Sequence, residues 1–145
     1  MAIKRDDAGL LRQIRENTEM GMIALETLFP KVEDAPLGRY LNQKELQYSG
    51  IRDRAKREML KEGEEGGRTG AVSELALRGA IHAETLFDTS ASRVAELMIR
   101  DSARGISRLW RAMNRCENAG HTSRELAEEL LLLEQKSIAE LKKYL

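Results

Sequence analysis

The sequence contains few residues of several types, and each shortage excludes a class of protein. One cysteine cannot form an internal disulfide, and two prolines with 4% aromatic residues argue against a β architecture. The longest apolar run, 130–133, is far shorter than a membrane span, and the N-terminus lacks the apolar stretch of a signal peptide. The 24 basic residues are balanced by 24 acidic ones, whereas nucleic-acid binders usually have a basic excess. We therefore expect a cytoplasmic protein that binds neither membranes nor nucleic acids.

Helix-forming residues are abundant, and apolar residues recur among them with helical spacing. The spacing predicts a single helical domain over 1–145, with helices at about 6–29, 36–61, 71–87, 92–117 and 122–144. Asp6 or Asp7 is expected to cap the first helix, and the glycine-rich stretch 63–70 to be a linker. The segment 71–87 is expected either to extend the next helix or to lie across the others. Its predicted buried row is Val72, Leu75, Gly79, His82 and Leu86.

The segment 92–117 is predicted to be the central helix, because one of its faces combines apolar and small residues around Gly105. A shift of 84 residues aligns the first helix with it, so that Gly21 coincides with Gly105. We expect these two helices to cross closely at the two glycines. A second apolar flank of the central helix is expected to mediate self-association or to be covered by 71–87. It consists of Ile99, Ala103, Ile106 and Trp110, and self-association is expected through Ile99, Ile106 and Trp110.

A four-helix bundle whose first and third long helices correspond resembles the ferritin-like superfamily. The segments SRVAELMIRDSARGISRL and LLLLEQKSIAELKKYL are similar to small bacterial members of it. The resemblance implies an all-α, up-down four-helix bundle with an extra helical segment before the third long helix. Metal-binding members carry a Glu on each of two helices and a Glu-x-x-His motif on each of the other two. Here neither His82 nor His121 follows a Glu at that spacing, so this chain lacks the motifs.

Glu134 lies in the middle of the apolar face of the last helix, where a charge needs a partner. The favoured interpretation is a buried ion pair with Lys44 or Arg52. One alternative is a metal or small-molecule site that Glu134 shares with Glu45 and Asp101. The other is a carboxylate at the edge of the bundle that reaches water.

Two small polar pairs, Asn17/Thr18 and Asp101/Ser102, coincide in the same 84-residue shift. We expect them to form hydrogen bonds between helices, as polar residues inside bundles often do. Otherwise Asn17 and Asp101 would join the two glutamates in an oxygen-rich cluster. Such a cluster would favour Mg, Ca or Mn over zinc.

Six arginines occupy the polar face of the central helix, and no aromatic residue shares that face to stack on bases. They are Arg93, Arg100, Arg104, Arg108, Arg111 and Arg115. We expect a solvated face with ion pairs to neighbouring helices, and the alternative is a docking site for an acidic partner. The expected pairing residues are Glu58, Glu62, Glu125, Glu128, Glu129 and Glu140.

No motif for a nucleophile, a phosphate loop or a Cys/His metal site is present, so no catalytic residue and no cofactor are assigned. The expected function is that of a non-catalytic structural or protein-interaction helical bundle that forms homo-oligomers. The alternative is an oxygen-ligand, di-iron-like metal-binding protein with a divalent metal as its cofactor.

Overall fold

The computed structural model describes residues 2–61, 63 and 70–145, and every regular element in this part of the chain is a helix. The α-helices are α1 (Ala2–Leu28), α2 (Ala35–Lys61), α3 (Ala71–Glu84), α4 (Ala91–Arg115) and α5 (His121–Leu141). Short 3-10 turns, Phe29–Lys31 and Lys142–Tyr144, follow α1 and α5. The five predicted helices are confirmed, although their ends differ by a few residues. The predicted linker lies outside the described residues except for Gly63 and Gly70.

The predicted caps of α1 serve another helix. Because α1 begins at Ala2, Asp6 and Asp7 lie inside it, so the prediction that either residue caps it was wrong. Instead, Asp7 Oδ1 accepts hydrogen bonds from the Gly120 amide at 2.7 Å and from the Ser123 hydroxyl at 2.8 Å, where α5 begins. Asp6 accepts one from the Asn118 amide at 2.9 Å. The free amides at the start of α5 attract a carboxylate from whichever element lies nearby.

The four long helices α1, α2, α4 and α5 pack around one core, with α1 beside α2 and α4, and α5 beside α4 and α2. Helices α2 and α5 are antiparallel, because Tyr40 bonds to Ser137 while Arg54 pairs with Glu129. The short connection between α4 and α5 makes that pair antiparallel too. Helices α2 and α4 therefore run in the same direction. The expected up-down order holds within the pairs α1/α2 and α4/α5. It does not hold between α2 and α4, because the chain crosses back along the bundle there. Helix α3 lies in this crossover.

The apolar rows predicted for the four long helices face the core. Phe29 and Leu145, which continue the predicted rows of the first and last helices, are exposed at helix ends, and so is Trp110 on the second flank of α4. No described helix combines the length and the apolar composition that crossing a membrane requires. The largest apolar side chains in the core are Leu10, Leu11, Ile14, Leu25, Leu28, Leu37, Leu41, Met59, Met98 and Leu109.

Helix α3 is a separate helix that lies against α1 and beside the first half of α4. Its predicted buried row was wrong, because all five of those residues are exposed. The inward side instead carries the half-buried Leu77 and the buried Ile81. Arg78 also faces α1, where it donates to Thr27 Oγ1 at 2.9 Å and pairs with Glu26 at 3.1 Å. Polar contacts with α1 thus hold α3 with its more apolar side turned towards solvent.

We expect Asp7→Ala to destabilise the protein by about 1–2 kcal/mol, because it removes the carboxylate that accepts from the start of α5. The measurement is the free energy of unfolding from urea denaturation. Asp53→Ala is the control, since Asp53 is exposed and pairs, within the described part of the chain, only with the adjacent Arg52 side chain. It should change stability by less than about 0.5 kcal/mol. Equal effects of the two substitutions would contradict the capping role.

Candidate functional site

Four polar side chains meet inside the core: Lys44 and Tyr48 of α2, Ser102 of α4 and Glu134 of α5. The first three are 0% exposed and Glu134 is 3% exposed. Tyr48 donates a hydrogen bond of 2.5 Å to Glu134 Oε1, and Lys44 Nζ lies 3.5 Å from the same oxygen. Lys44 also donates to Ser102 Oγ at 2.9 Å, and Ser102 is 3.3 Å from Glu134 Oε1. We call this group the interior polar cluster.

Of the two partners expected for Glu134, the structure brings Lys44 to it. The other, Arg52, is half-buried and pairs with Asp53 at 3.1 Å. Asp101 is half-buried beside the interior polar cluster, where its carboxyl interacts electrostatically with Lys44. A buried cation and a buried carboxylate therefore face each other where α2, α4 and α5 meet.

Burial shifts the titration of the interior polar cluster. It raises the pKa of Glu134, although the Lys44 ammonium and the Tyr48 hydrogen bond act in the opposite direction. Burial also lowers the pKa of Lys44, against the attraction of Glu134 and Asp101. The pKa of Tyr48 is raised well above its ordinary value by burial and by Glu134, so its hydroxyl remains a donor. Loss of hydration thus outweighs attraction between the charges, as is common for buried ion pairs.

The two glycines of the internal repeat make room for this cluster. A Cβ on Gly21 would lie 2.6 Å from the Tyr48 ring, and a Cβ on Gly105 would lie 2.8 Å from Glu134 Oε2. The sequence predicted that Gly21 and Gly105 give clearance for α1 and α4 to cross. The atoms nearest to a Cβ belong to α2 at Gly21 and to α5 at Gly105, where Asn17 of α1 follows at 3.8 Å. Gly21 admits a side chain of α2, and Gly105 admits one of α5.

The polar pairs of the repeat partly behave as expected. Asn17 of α1 donates to the Gly105 carbonyl of α4 at 3.0 Å, and Ser102 belongs to the interior polar cluster. Thr18, in contrast, bonds to the carbonyl of Ile14 in its own helix at 3.0 Å. Asn17 therefore links α1 and α4 directly, at the glycine that leaves room for Glu134.

The four proposed metal ligands do not come together. Glu45 points away from the interior polar cluster towards Glu26 of α1, because it follows Lys44 in α2 and so lies about 100° further around the helix. Asn17 is engaged by Gly105 and Gln13. Within residues 2–61, 63 and 70–145, no group of three or more His, Cys, Asp or Glu side chains could hold a metal ion. Asp101 and Glu134 interact electrostatically, with Lys44 beside both, and Asn17 Nδ2 and Glu134 Oε2 both lie within 4 Å of the Cβ position of Gly105.

A cavity of about 80 Å³ lies between α1, α3 and α4. Leu28, Ile81 and Met98 contribute to its apolar floor, and Asp101 and Arg104 to its charged wall. Neither Lys44 nor Glu134 lines the cavity. It therefore reaches one carboxylate beside the interior polar cluster but not the cluster itself.

The arginine face of α4 divides into two parts. Arg93 and Arg100 each pair with Glu84 of α3, at 3.0 Å in both cases, and with Glu96 of α4. Arg104, Arg108, Arg111 and Arg115 form no ion pair within 4.0 Å among the described residues. None of the described acidic residues that were expected as partners forms an ion pair with these four arginines. Glu62, the remaining expected partner, lies outside the described residues. The first part holds α3. In the second part Arg104, Arg111 and Arg115 are exposed and Arg108 is half-buried, and Arg104 and Arg108 interact electrostatically with Asp101.

The flank expected to mediate self-association is not one exposed patch. Ile106 is buried and Ile99 is half-buried against the core, whereas Trp110 is 50% exposed. Helix α3 lies near the Leu97–Arg104 part of α4 and leaves Trp110 uncovered. The apolar side chains with the greatest exposure are instead found on α2 and on and after α3: Leu46, Leu60, Val72, Leu75, Leu86 and Phe87.

Sequence reasoning missed the full burial of Lys44 and the role of Tyr48, although a signal was present. The buried row of α2 includes Leu37, Leu41, Lys44, Tyr48, Ile51, Ala55 and Met59. Lys44 fills the one gap in that helical spacing, and it precedes Tyr48 by one turn. A lysine at such a position predicts a buried partner. A second buried cation, Arg15 of α1, pairs with Glu19 at 3.5 Å.

We expect Gly105→Ala to destabilise the protein by about 1–3 kcal/mol, because the new Cβ displaces the Glu134 carboxylate from Tyr48. Gly50→Ala is the matched control, since Gly50 also lies inside a helix but has no atom within 4 Å of a Cβ. There, alanine should raise stability by about 0.5–1 kcal/mol through its helix propensity. Chemical denaturation of both variants measures the difference. A similar gain in both would show that Glu134 does not need the space.

The raised pKa of Glu134 predicts how stability changes with pH. The folded protein holds this proton more tightly than the unfolded chain, whose Glu titrates near 4.5. The resulting stabilisation is fully present below that value and is lost as the pH rises through the raised pKa. Glu134→Gln keeps the hydrogen-bond acceptor and cannot titrate. The parent should therefore lose stability relative to Glu134→Gln across this window in urea titrations. A relative gain of the parent would mean that the pKa is depressed.

Comparisons with known proteins were made at three levels: family models, curated proteins and solved structures. No family model, no curated protein and no solved structure matches the chain.

Proposed function

We propose that this chain is a non-catalytic structural and protein-interaction protein, built as a four-helix bundle of ferritin-like topology. Two features support the topology. Four long helices share one core, and the crossover that contains α3 joins two parallel helices, α2 and α4. Ferritin-like bundles have one such long connection. An up-down-up-down bundle has only short connections between antiparallel neighbours.

The observation that carries the non-catalytic role is the position of Lys44. In metal-binding bundles, carboxylates from facing helices converge on a cation in the core. Here a lysine ammonium supplies the positive charge between Glu134, Asp101 and Ser102. The Glu134 oxygen that faces it also accepts from Tyr48. The position that a metal takes in such bundles is thus filled by a side chain of this chain itself, which supports a structural role for the interior polar cluster.

The interaction role is supported by the surface. Large apolar side chains are exposed on and after α3, and among the described residues Arg111 and Arg115 are exposed without an ion pair within 4.0 Å. Apolar surface of this kind commonly marks a site of association. The arginines suit an acidic partner, as an additional contact beside the apolar one.

The alternative function is an oxygen-ligand metal-binding protein. It draws on the closeness of Asp101 and Glu134, whose carboxyls both have pKa values raised by burial. A divalent cation could bind there only if Lys44 moved away or lost its proton. The two functions therefore differ in what Glu134 contributes to the metal-free protein.

Glu134→Leu separates them. If Glu134 is structural, the substitution leaves Lys44 and Tyr48 buried without their acceptor, and it should cost about 3–5 kcal/mol. We expect the same loss with a chelator and with Mn, Fe or Mg, measured by urea denaturation and thermal melts. Glu129→Leu is the matched control on α5, where the carboxylate pairs with Arg54 at the surface. It should cost less than about 1 kcal/mol.

A metal-binding protein would give the opposite pattern. The metal-free parent and Glu134→Leu would then have similar stability, because the substitution removes one of two repelling carboxylates. Added metal would stabilise the parent and have no effect on the variant. That pattern, together with stoichiometric metal in the purified parent by elemental analysis, would overturn the structural role.

A further inference from the structure

The cavity between α1, α3 and α4 combines an apolar interior with charged groups on one side. Its volume is about 80 Å³. The larger apolar side chains that line it are Leu28, Leu77, Ile81, Leu97 and Met98. The charged lining residues are Glu84 of α3 and Arg100, Asp101 and Arg104 of α4. Because Glu84, Arg100 and Arg104 are exposed, the cavity opens to solvent on the side that they line.

Two of these four charged residues neutralise each other. Glu84 pairs with Arg100 at 3.0 Å, and with Arg93 at the same distance. Arg100 also lies 3.6 Å from the carboxylate of Glu96 in its own helix. The Glu84 carboxylate and the Arg100 guanidinium therefore hold α3 against α4, and neither charge needs a ligand.

The Asp101 carboxylate, in contrast, has no direct partner. Among residues 2–61, 63 and 70–145, no group donates a hydrogen bond to it and no cation lies within 4.0 Å of it. Lys44 acts on it electrostatically, but that ammonium is already engaged by Ser102 and Glu134. Burial is the largest influence on the Asp101 carboxyl and raises its pKa, so this group has lost much of its hydration. A carboxylate without water and without a donor is costly, and such a group calls for an explanation.

One turn further along α4, Arg104 brings a positive charge to the same cavity. It follows Asp101 by three residues, so the two side chains are neighbours on the helix surface. They interact electrostatically, but no carboxylate in the described part of the chain lies within 4.0 Å of the Arg104 guanidinium. The mouth of the cavity thus presents one carboxylate and one guanidinium, side by side, that no described group neutralises.

We propose that this cavity binds a free amino acid with a small apolar side chain. The ammonium group of the ligand pairs with Asp101, its carboxylate pairs with Arg104, and its side chain enters the apolar interior. A ligand with a single charge would leave one of the two protein charges unpaired. An apolar cavity of about 150 Å³ holds benzene, so 80 Å³ suits about three or four carbons, as in valine. The site goes beyond the proposed function and shares no residue with the interior polar cluster.

The ligand chemistry is tested by titrating the isotope-labelled full chain with L-valine, followed by NMR. We expect a Kd of about 0.1–1 mM, with shifted amide signals in the parts of α3 and α4 that border the cavity. Isovaleric acid lacks the ammonium group and isobutylamine lacks the carboxylate. Each should bind about 10-fold or more weakly than valine, because it loses one charged contact. Glycine should also bind about 10-fold or more weakly, because it has no apolar side chain to bury.

Variants test which protein group holds which end of the ligand. Asp101→Asn and Arg104→Gln should each weaken valine binding by about 10-fold or more. Asp101→Asn should not weaken isovaleric acid, and Arg104→Gln should not weaken isobutylamine, because the matching ligand charge is already absent. Arg111→Gln is the matched control, since Arg111 is also an exposed arginine of α4 but does not line the cavity. It should leave every Kd unchanged.

Circular dichroism of each variant verifies that it is folded. Asp101 lies beside the interior polar cluster, so Asp101→Asn carries the greater risk of unfolding. Arg104 is exposed and forms no ion pair within 4.0 Å among the described residues. Arg104→Gln therefore decides the question even if Asp101→Asn does not fold.

Three results would overturn the proposal. The first is the absence of saturable shifts up to about 20 mM valine. The second is binding of isovaleric acid or isobutylamine as tightly as valine, which would indicate a site for one charge or for an apolar group alone. The third is unchanged valine affinity in Arg104→Gln. None of these results alters the metal and Glu134→Leu measurements, so the proposed function and this inference can fail separately.

Discussion

The hydrogen bond from Tyr48 to Glu134 is the interaction on which the arrangement of the four long helices depends. It joins α2 to α5 inside the core, where Lys44 and Ser102 complete the interior polar cluster. A tyrosine ring and a carboxylate can lie there only because α1 and α4 each present a glycine to them. Every long helix therefore contributes either a polar group or the space for one. Changing any of these residues affects contacts between helices that are far apart in sequence.

This arrangement gives the internal repeat a physical meaning. Gly21 and Gly105 are 84 residues apart, and the side chains that they admit, Tyr48 and Glu134, are 86 residues apart. Each helix pair thus supplies one glycine and one polar side chain, and the two side chains bond to each other. The net cost of burying charge is visible in the shifted pKa values of Lys44 and Glu134. Polar contacts of this kind can fix which helices pack together, because an alternative packing would leave the buried groups without partners.

Helix α3 follows a different rule from the rest of the chain. In the long helices the apolar row faces the core, whereas in α3 it faces solvent and polar contacts hold the helix in place. The same helix bridges the crossover between α2 and α4 and shields part of α4 from solvent.

The sequence by itself determined where the helices lie and which side of each long helix is buried. The reason is that the residues that recur with helical spacing are also the apolar residues that the core requires. It also identified Glu134 as a charge that needs a partner. Only the tertiary structure decided that the partner is Lys44, that Glu45 faces Glu26, and that the repeat glycines admit Tyr48 and Glu134. It also decided which side of α3 faces inward. Periodicity describes one helix at a time, whereas these outcomes depend on the direction, rotation and neighbours of helices that are distant in sequence.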